Sequence, residues 1–263
     1  MSRLKVAVLG CGPAGLLAAH AATRENCEVD IYSKPAKSRI GGAQYLYMPI
    51  PGITGSKPDG TCTVYKLGDE AGYATKVYGS ADAPTSWGQF ADQQVVPVWN
   101  MQAAYDYLYT IYGYGVLPEN INLNSLVYKG GILETYDLVI SCIPRTFMCV
   151  TGEHDFHSQD VWISAWQEKK EPPFDNWIEY DGRKETDHYR SSCLFGHAGY
   201  EYPVHPEGIG FVKVSKPLDH NCNCWQHWPK VQFMGRYGKW QKGQLIHHAY
   251  LGTQEAINDA RSY

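Results

Sequence analysis

Three glycines, spaced as Gly10-Cys11-Gly12-Pro13-Ala14-Gly15, directly follow the apolar run Val6 to Leu9. The spacing suits a diphosphate. Gly10 permits a tight turn, Gly12 lets the backbone approach a pyrophosphate, and Gly15 lets a following helix close against the strand. Ala14 to about Thr23 is rich in Ala and Leu and reads as that helix. Its N-terminus aims unpaired N–H groups and the positive end of the helix dipole at a bound anion. Any strand-to-helix turn can use glycine. Here both flanking elements are present, and the segment points to dinucleotide binding through Gly10, Gly12, Pro13, Ala14 and Gly15.

The second strand of such a unit reads Cys27-Glu28-Val29-Asp30-Ile31-Tyr32. An acid commonly ends this strand and grips the adenosine ribose hydroxyls. Counting from Gly15 puts Ser33 there, followed by Lys34. Serine can still hydrogen-bond a hydroxyl, without a carboxylate's strength. Lys34 leaves open a 2′-phosphate, and hence NADP. Asp30 lies three residues early on a strand of period two and is expected to point elsewhere.

Three further segments carry a family resemblance. Ser38-Arg39-Ile40-Gly41-Gly42-Ala43 resembles the R-x-G-G motif of FAD-binding oxidoreductases of the amine oxidase and UDP-galactopyranose mutase type. Paired glycines let backbone lie against a flavin and its diphosphate, and Arg39 can neutralise phosphate charge. Tyr136 to Arg145 resembles the late strand of the same families, with Ile143 and Pro144 in the turn beside the cofactor. Phe233-Met234-Gly235-Arg236-Tyr237-Gly238-Lys239-Trp240, with a helix from about Leu245 to Ala260, is similar to the closing flavin segment of mutases and protoporphyrinogen oxidase-like proteins. There Gly235 and Arg236 would return to the FAD diphosphate or flavin edge.

The resemblance implies FAD as cofactor. Its contacts would be Gly10, Gly12, Pro13, Ala14, Gly15, Ser33, Lys34, Arg39, Gly41, Gly42, Ala43, Ile143, Pro144, Gly235 and Arg236. It also implies hydride removal from a C–N or C–H bond of a small polar substrate such as an amine, with oxygen or another acceptor reoxidising the flavin. A non-redox reaction on a nucleotide sugar is the first alternative; a nucleotide-binding protein without turnover is the second. Relatives often carry a helical substrate domain after the paired glycines, and residues 49–99 are too short and too rich in Gly and Pro for one.

Tyr189-Arg190, followed by Tyr200-Glu201-Tyr202-Pro203, is loosely similar to a substrate strand of the mutases. Arg190 among tyrosines can hold an anion or carboxylate, or can pair with Glu179, Asp187 or another acid. His154 and His157, with Glu153 and Asp155, could do acid–base or metal chemistry, or form a solvated turn. His247-His248 opens the last helix, where one imidazole could poise a proton. Cys222-Asn223-Cys224, flanked by His220 and His227, is too tight for a zinc tetrahedron without a second ligand pair. No metal is assigned. Cys11 reads as a small filler.

The elements that must position these groups make an α/β protein. A Rossmann-like FAD-binding domain with a mostly parallel sheet is expected from residues 1–48, 100–150 and 229–263. Residues 49–99 and 151–228 would supply a smaller β-rich substrate layer. Met101 to Ile111 reads as a helix stopped by Gly113 and Gly115. Thr61–Leu67, Lys76–Tyr78, Val161–Trp166, Trp177–Tyr180, Tyr189–Phe195 and Gly210–Val214 read as strands.

The composition sets outer bounds. A net charge of −4 offers no footprint for nucleic acid. No apolar run approaches the ~20 residues that span a bilayer. No signal peptide is apparent, and the eight scattered cysteines suit reduced thiols, so a cytoplasmic setting is expected. The 20 Tyr and 8 Trp can wall a pocket for a small-molecule substrate. The sequence leaves the oligomeric state open.

Overall fold

The computed structural model describes residues 3–34, 44–85, 87–89, 91–119, 121, 123–127, 129–164, 167–168, 176–208 and 210–262. The Arg39, Gly41, Gly42 and Ala43 motif lies outside the described residues.

In chain order the elements begin with β1 (Lys5–Leu9), α1 (Pro13–Arg24), β2 (Glu28–Ser33), β3 (Tyr45–Leu46), β4 (Gly60–Leu67), α2 (Glu70–Tyr78) and β5 (Gln93–Asn100). Next come α3 (Met101–Tyr112), β6 (Val116–Pro118), α4 (Leu123–Val127), α5 (Ile132–Thr135), β7 (Leu138–Ser141), β8 (Phe156–Ser164) and β9 (Gln167–Glu168). The chain continues through β10 (Asn176–Asp181), β11 (Arg190–Leu194), β12 (His197–Tyr202), β13 (Phe211–His220), β14 (Val231–Phe233), α6 (Gly235–Lys239) and α7 (His248–Arg261).

They fall into two units. The first comprises Met1–Arg39, Ala103–Ser158 and Pro217–Tyr263; the second comprises Ile40–Gln102 and Gln159–Lys216.

The first unit is built on a parallel sheet in the order β14-β7-β1-β2-β6. Strand order reverses between β1 and β7, which makes the carboxyl ends of those strands the switch point where such sheets bind ligands. Val6, Ala7, Val8 and Leu9 are all fully buried, so β1 is covered on both faces. Ala7 and Leu9 join Val139, Leu133, Met148, Trp225 and Val231 in one core cluster. The small residues of α1 let it sink into the unit, and Gly15 through Ala22 are buried without a break. Helix α7 carries buried Ala249, Tyr250, Thr253, Ala256 and Ile257. Glu25, at the end of α1, accepts hydrogen bonds from Gln254 and Arg261 of α7.

The second unit is a mainly antiparallel sheet, β13-β8-β12-β11-β10-β4-β5-β3, with β9 paired to β12. The pair β4–β10 is parallel. Pro97 is tolerated inside β5 because, among the described residues, β3 pairs with Trp99 and Asn100 and stops short of Pro97.

One expected strand is a helix. Lys76–Tyr78 forms the last turn of α2. The helix starts where the Asp69 carboxylate accepts the Gly72 N–H at 2.7 Å and ends at Gly79, whose φ is +76°. Those caps outweigh the β-leaning Val-Tyr pair. The Gly235-Arg236 turn is likewise the start of a short helix, α6. The last helix begins at His248, three residues later than the apolar pattern suggests.

Candidate dinucleotide site

The glycine turn is built by close backbone contacts. Gly10 has φ of +100°, a region that L side chains rarely adopt, and its N–H donates to the Tyr32 carbonyl at 2.8 Å. A Cβ at Gly15 would lie 1.8 Å from the Gly10 carbonyl oxygen, so only glycine lets α1 start this close to β1. Gly12 differs. It is exposed, and a Cβ there would meet none of the described residues within 4 Å. Gly12 is also the N-cap of α1 and has no side-chain cap, with Pro13 at the helix start and no acid in the first turn. The turn therefore presents an uncapped helix N-terminus with open space above it, an arrangement that fits a diphosphate.

The other ends converge here. A Cβ on Gly10 would come within 3.2 Å of Ile143 Cγ2, so the residue pair after β7, Ile143-Pro144, lies against the turn. The Cys142 N–H donates to the Leu9 carbonyl at 2.9 Å and holds the two strand ends level. From the C-terminal segment, Gly235 (φ +71°) sits so close to Ala14 that a Cβ would be 2.7 Å from the alanine methyl. Met234 N–H donates to Ser141 O at 2.9 Å and anchors that approach. The Arg236 side chain donates to the Pro217 carbonyl, from Nε at 3.1 Å and from Nη2 at 2.9 Å.

Ser33 ends β2, half-buried, with Lys34 exposed beside it. The Lys34 carbonyl accepts a long contact from Cys11 Sγ at 3.7 Å, which suits a filler role for that thiol. Asp30 does point elsewhere: its carboxylate accepts from Tyr136 Oη at 2.7 Å, and Tyr136 in turn accepts from Tyr32 at 2.6 Å. Burial, followed by these two hydrogen bonds, keeps the Tyr136 phenol protonated.

In the second unit, Tyr189 and Arg190 form part of a buried ion network. Arg190 Nη1 donates to Glu201 Oε1 at 2.6 Å, Tyr189 Oη donates to Glu201 Oε2 at 2.5 Å, and Lys216 Nζ also reaches Oε2. Burial favours the neutral acid, but Lys216 and Arg190 outweigh it and hold Glu201 well below the usual carboxylate range. Arg190 is thus engaged by an acid that sequence reading leaves unnamed. The alternation in Tyr200-Glu201-Tyr202 places Glu201 on the inward face and is the signal that could have found it.

The histidine candidates separate. His157 pairs with Asp219 at 2.5 Å, both exposed, and Asp155 bonds to Asn221. His154 faces Cys149 and Thr151. His247 is buried, and burial followed by the neighbouring His248 lowers its pKa, disfavouring the cation. Among the described residues, no helix is long and apolar enough to cross a membrane.

No protein-family model matches the sequence, and no curated protein sequence does. Solved structures do match. A point mutant of 2-methyl-3-hydroxypyridine-5-carboxylic acid oxygenase is similar with a TM-score of 0.58 at 14% identity, over 99% of this chain and 82% of that one. The flavin-dependent brominase Bmp2 gives 0.54 at 10% identity, over 98% and 78%. CtdE, crystallised in complex with FAD, gives 0.54 at 12% identity, over 97% and 84%. At such identities the likeness is one of fold. The mixed α/β architecture, with its parallel sheet, is a fold shared with flavin-dependent oxygenases and halogenases.

Proposed function

We propose that the chain is an FAD-dependent oxidoreductase acting on a small polar molecule. The observation that carries this reading is the contrast at the turn: Gly15 is filled by the Gly10 carbonyl, while a Cβ on Gly12 would meet none of the described residues within 4 Å. A tight turn alone requires the first. A bound diphosphate also requires the second. In this reading the N-terminus of α1 holds the diphosphate through backbone N–H groups, with Gly12, Pro13 and Ala14 shaping its floor. Ile143 and Pro144 close one side and Gly235 another. Ser33 hydrogen-bonds the ribose, and Arg39, Gly41, Gly42 and Ala43 lie along the cofactor as the sequence motif implies. FAD would supply the two-electron acceptor, and the protein orientation and electrostatics.

The motif resemblance supports oxidation of a small amine by hydride transfer. The fold comparison favours a second reading, oxygenation or halogenation, because an oxygenase and a brominase share this architecture. The nucleotide-sugar alternative drew on Arg190, whose guanidinium is bonded to Glu201.

Purified protein is expected to be yellow, absorbing near about 450 nm as bound flavin does. A colourless protein that binds NADPH instead would overturn the assignment. Anaerobic bleaching by amines supports the oxidase reading; bleaching by NAD(P)H, with amines inert, supports the oxygenase or halogenase reading.

A further inference from the structure

Four side chains that the sequence keeps in two separate pairs meet in the first unit. Cys149 and His154 lie in the loop between β7 and β8; Cys222 and Cys224 lie between β13 and β14. The three sulfurs and one imidazole nitrogen all lie within 4.8 Å of one another. His154 Nδ1 is 3.3 Å from Cys149 Sγ and 3.5 Å from Cys224 Sγ. A zinc tetrahedron with Zn–S near 2.3 Å and Zn–N near 2.0–2.1 Å has edges of about 3.5–3.8 Å. The donors therefore need side-chain adjustments of about an ångström at most to enclose an ion. The Cys222-x-Cys224 loop, too tight to complete a tetrahedron alone, gains its missing partner pair from Cys149 and His154.

We propose that Cys149, His154, Cys222 and Cys224 form a Cys3His zinc site.

Backbone donors face the sulfurs. Backbone N–H groups of Gly152 and His154 point at Cys149 Sγ, that of Val150 at Cys224 Sγ (3.4 Å), and that of Cys224 at Cys222 Sγ. Such donors orient and stabilise metal-bound sulfur. Three thiolates and Zn²⁺ leave a net charge of −1, and the Arg145 guanidinium lies alongside. It stacks on Phe233 at 3.7 Å, and its Nη2 approaches the Cys222 carbonyl at 3.4 Å. Arg145 Nε is buried without a hydrogen-bond partner among the described residues.

Cys149 and Cys222 are buried while His154 and Cys224 remain half-buried, so one side of the cluster is open for metal entry. Trp225 Nε1 donates to the Met148 carbonyl at 2.5 Å and holds the two loops together independently of the ion. With four protein ligands and no open coordination position, the site is structural rather than catalytic. It staples the segment after β7 to the segment before β14.

The test is elemental analysis of the full chain, purified under reducing conditions without added metal. One zinc per chain is expected, and thiol-blocking mercurial should release it. After zinc removal, Co²⁺ should give the strong visible bands of tetrahedral cobalt and a near-ultraviolet sulfur charge-transfer band. The Cys222→Ser/Cys224→Ser pair should lose both signals. His154→Cys should keep the zinc with four sulfur ligands, which separates loss of a ligand from loss of folding. Substoichiometric metal together with Co²⁺ that stays octahedral, or a disulfide among these cysteines in the reduced preparation, would overturn the proposal. Flavin content is a separate readout, so the site stands or falls apart from the flavin assignment.

Discussion

Each of the two units owes its internal cohesion to different means. In the first, the central strands β1 and β7 of the parallel sheet are buried on both faces, and the dinucleotide turn is shaped by backbone atoms in contact where side chains are absent. In the second, carboxylates sit inside an antiparallel sheet. Glu201 is 5% exposed and Asp181 fully buried. Glu201 is matched by Arg190 and Lys216, and Asp181 by Arg183 at 2.7 Å and Lys76 at 3.7 Å. Shape is therefore the vulnerable quantity in one unit, and charge balance in the other.

Substitutions can break that contrast in order of size. Gly15→Ala forces a methyl onto the Gly10 carbonyl, and the start of α1 must move. A destabilisation above about 4 kcal/mol is expected in urea unfolding; a shift below about 1 kcal/mol would mean the turn is more plastic than the contacts imply. Glu201→Gln removes a buried acid from two half-buried cations and should cost about 3 kcal/mol. Adding Arg190→Met and Lys216→Met to it should recover part of the loss, since the penalty lies in unpaired charge. Equal losses with and without those replacements would remove charge balance as the cause.

Acid should act on the second unit. Burial raises the Asp181 pKa, but hydrogen bonds from Arg183, with smaller help from Thr186 and Lys76, lower it to about 2 from 3.8. Glu201 is also depressed from its usual 4.5. Both carboxylates bind protons more readily when unfolded. Their stabilisation is thus complete above about pH 4.5 and falls away as pH drops toward the folded values. A stability–pH curve should decline below that point, and Glu201→Gln should flatten part of the decline. An identical slope in the variant would exclude Glu201 as a source.

Smaller effects sharpen the view of the first unit. Tyr136→Phe removes the bond to Asp30 and the partner of Tyr32, and about 1 kcal/mol should be lost in thermal unfolding. Because glycine is the better N-cap, Gly12→Ala should cost the flavin-free protein about 1 kcal/mol or less. Its methyl would occupy the open space over the helix N-terminus, and FAD affinity measured by fluorescence titration should drop at least about tenfold, ~1.4 kcal/mol. Unchanged affinity would place the diphosphate elsewhere.

Much of the fold was legible because its signals are local. Strand, glycine turn and helix follow one another within Lys5 to Arg24, so each residue's neighbours in sequence are also its neighbours in space. The strand at Tyr189–Phe195 showed in the same way. Helix α2 did not, because its caps at Asp69 and Gly79 carry more weight than the hydrophobic pattern between them. Strand β5 was hidden by Pro97, which only the short reach of β3 makes acceptable. At the candidate site the glycines were readable one by one, whereas the bond from Arg236 to the Pro217 carbonyl depends on the path of β13, which carries Pro217.

By itself, the sequence determined an α/β chain with a dinucleotide-type turn at Gly10–Gly15, since backbone freedom and apolar periodicity act over a few residues. Only the tertiary structure decided which charges and ligands are partners. Arg190 meets Glu201 across a strand pair, and His154 meets Cys224 seventy residues away in sequence. Spacing says nothing about such pairs, because the path of the chain between them sets the distance.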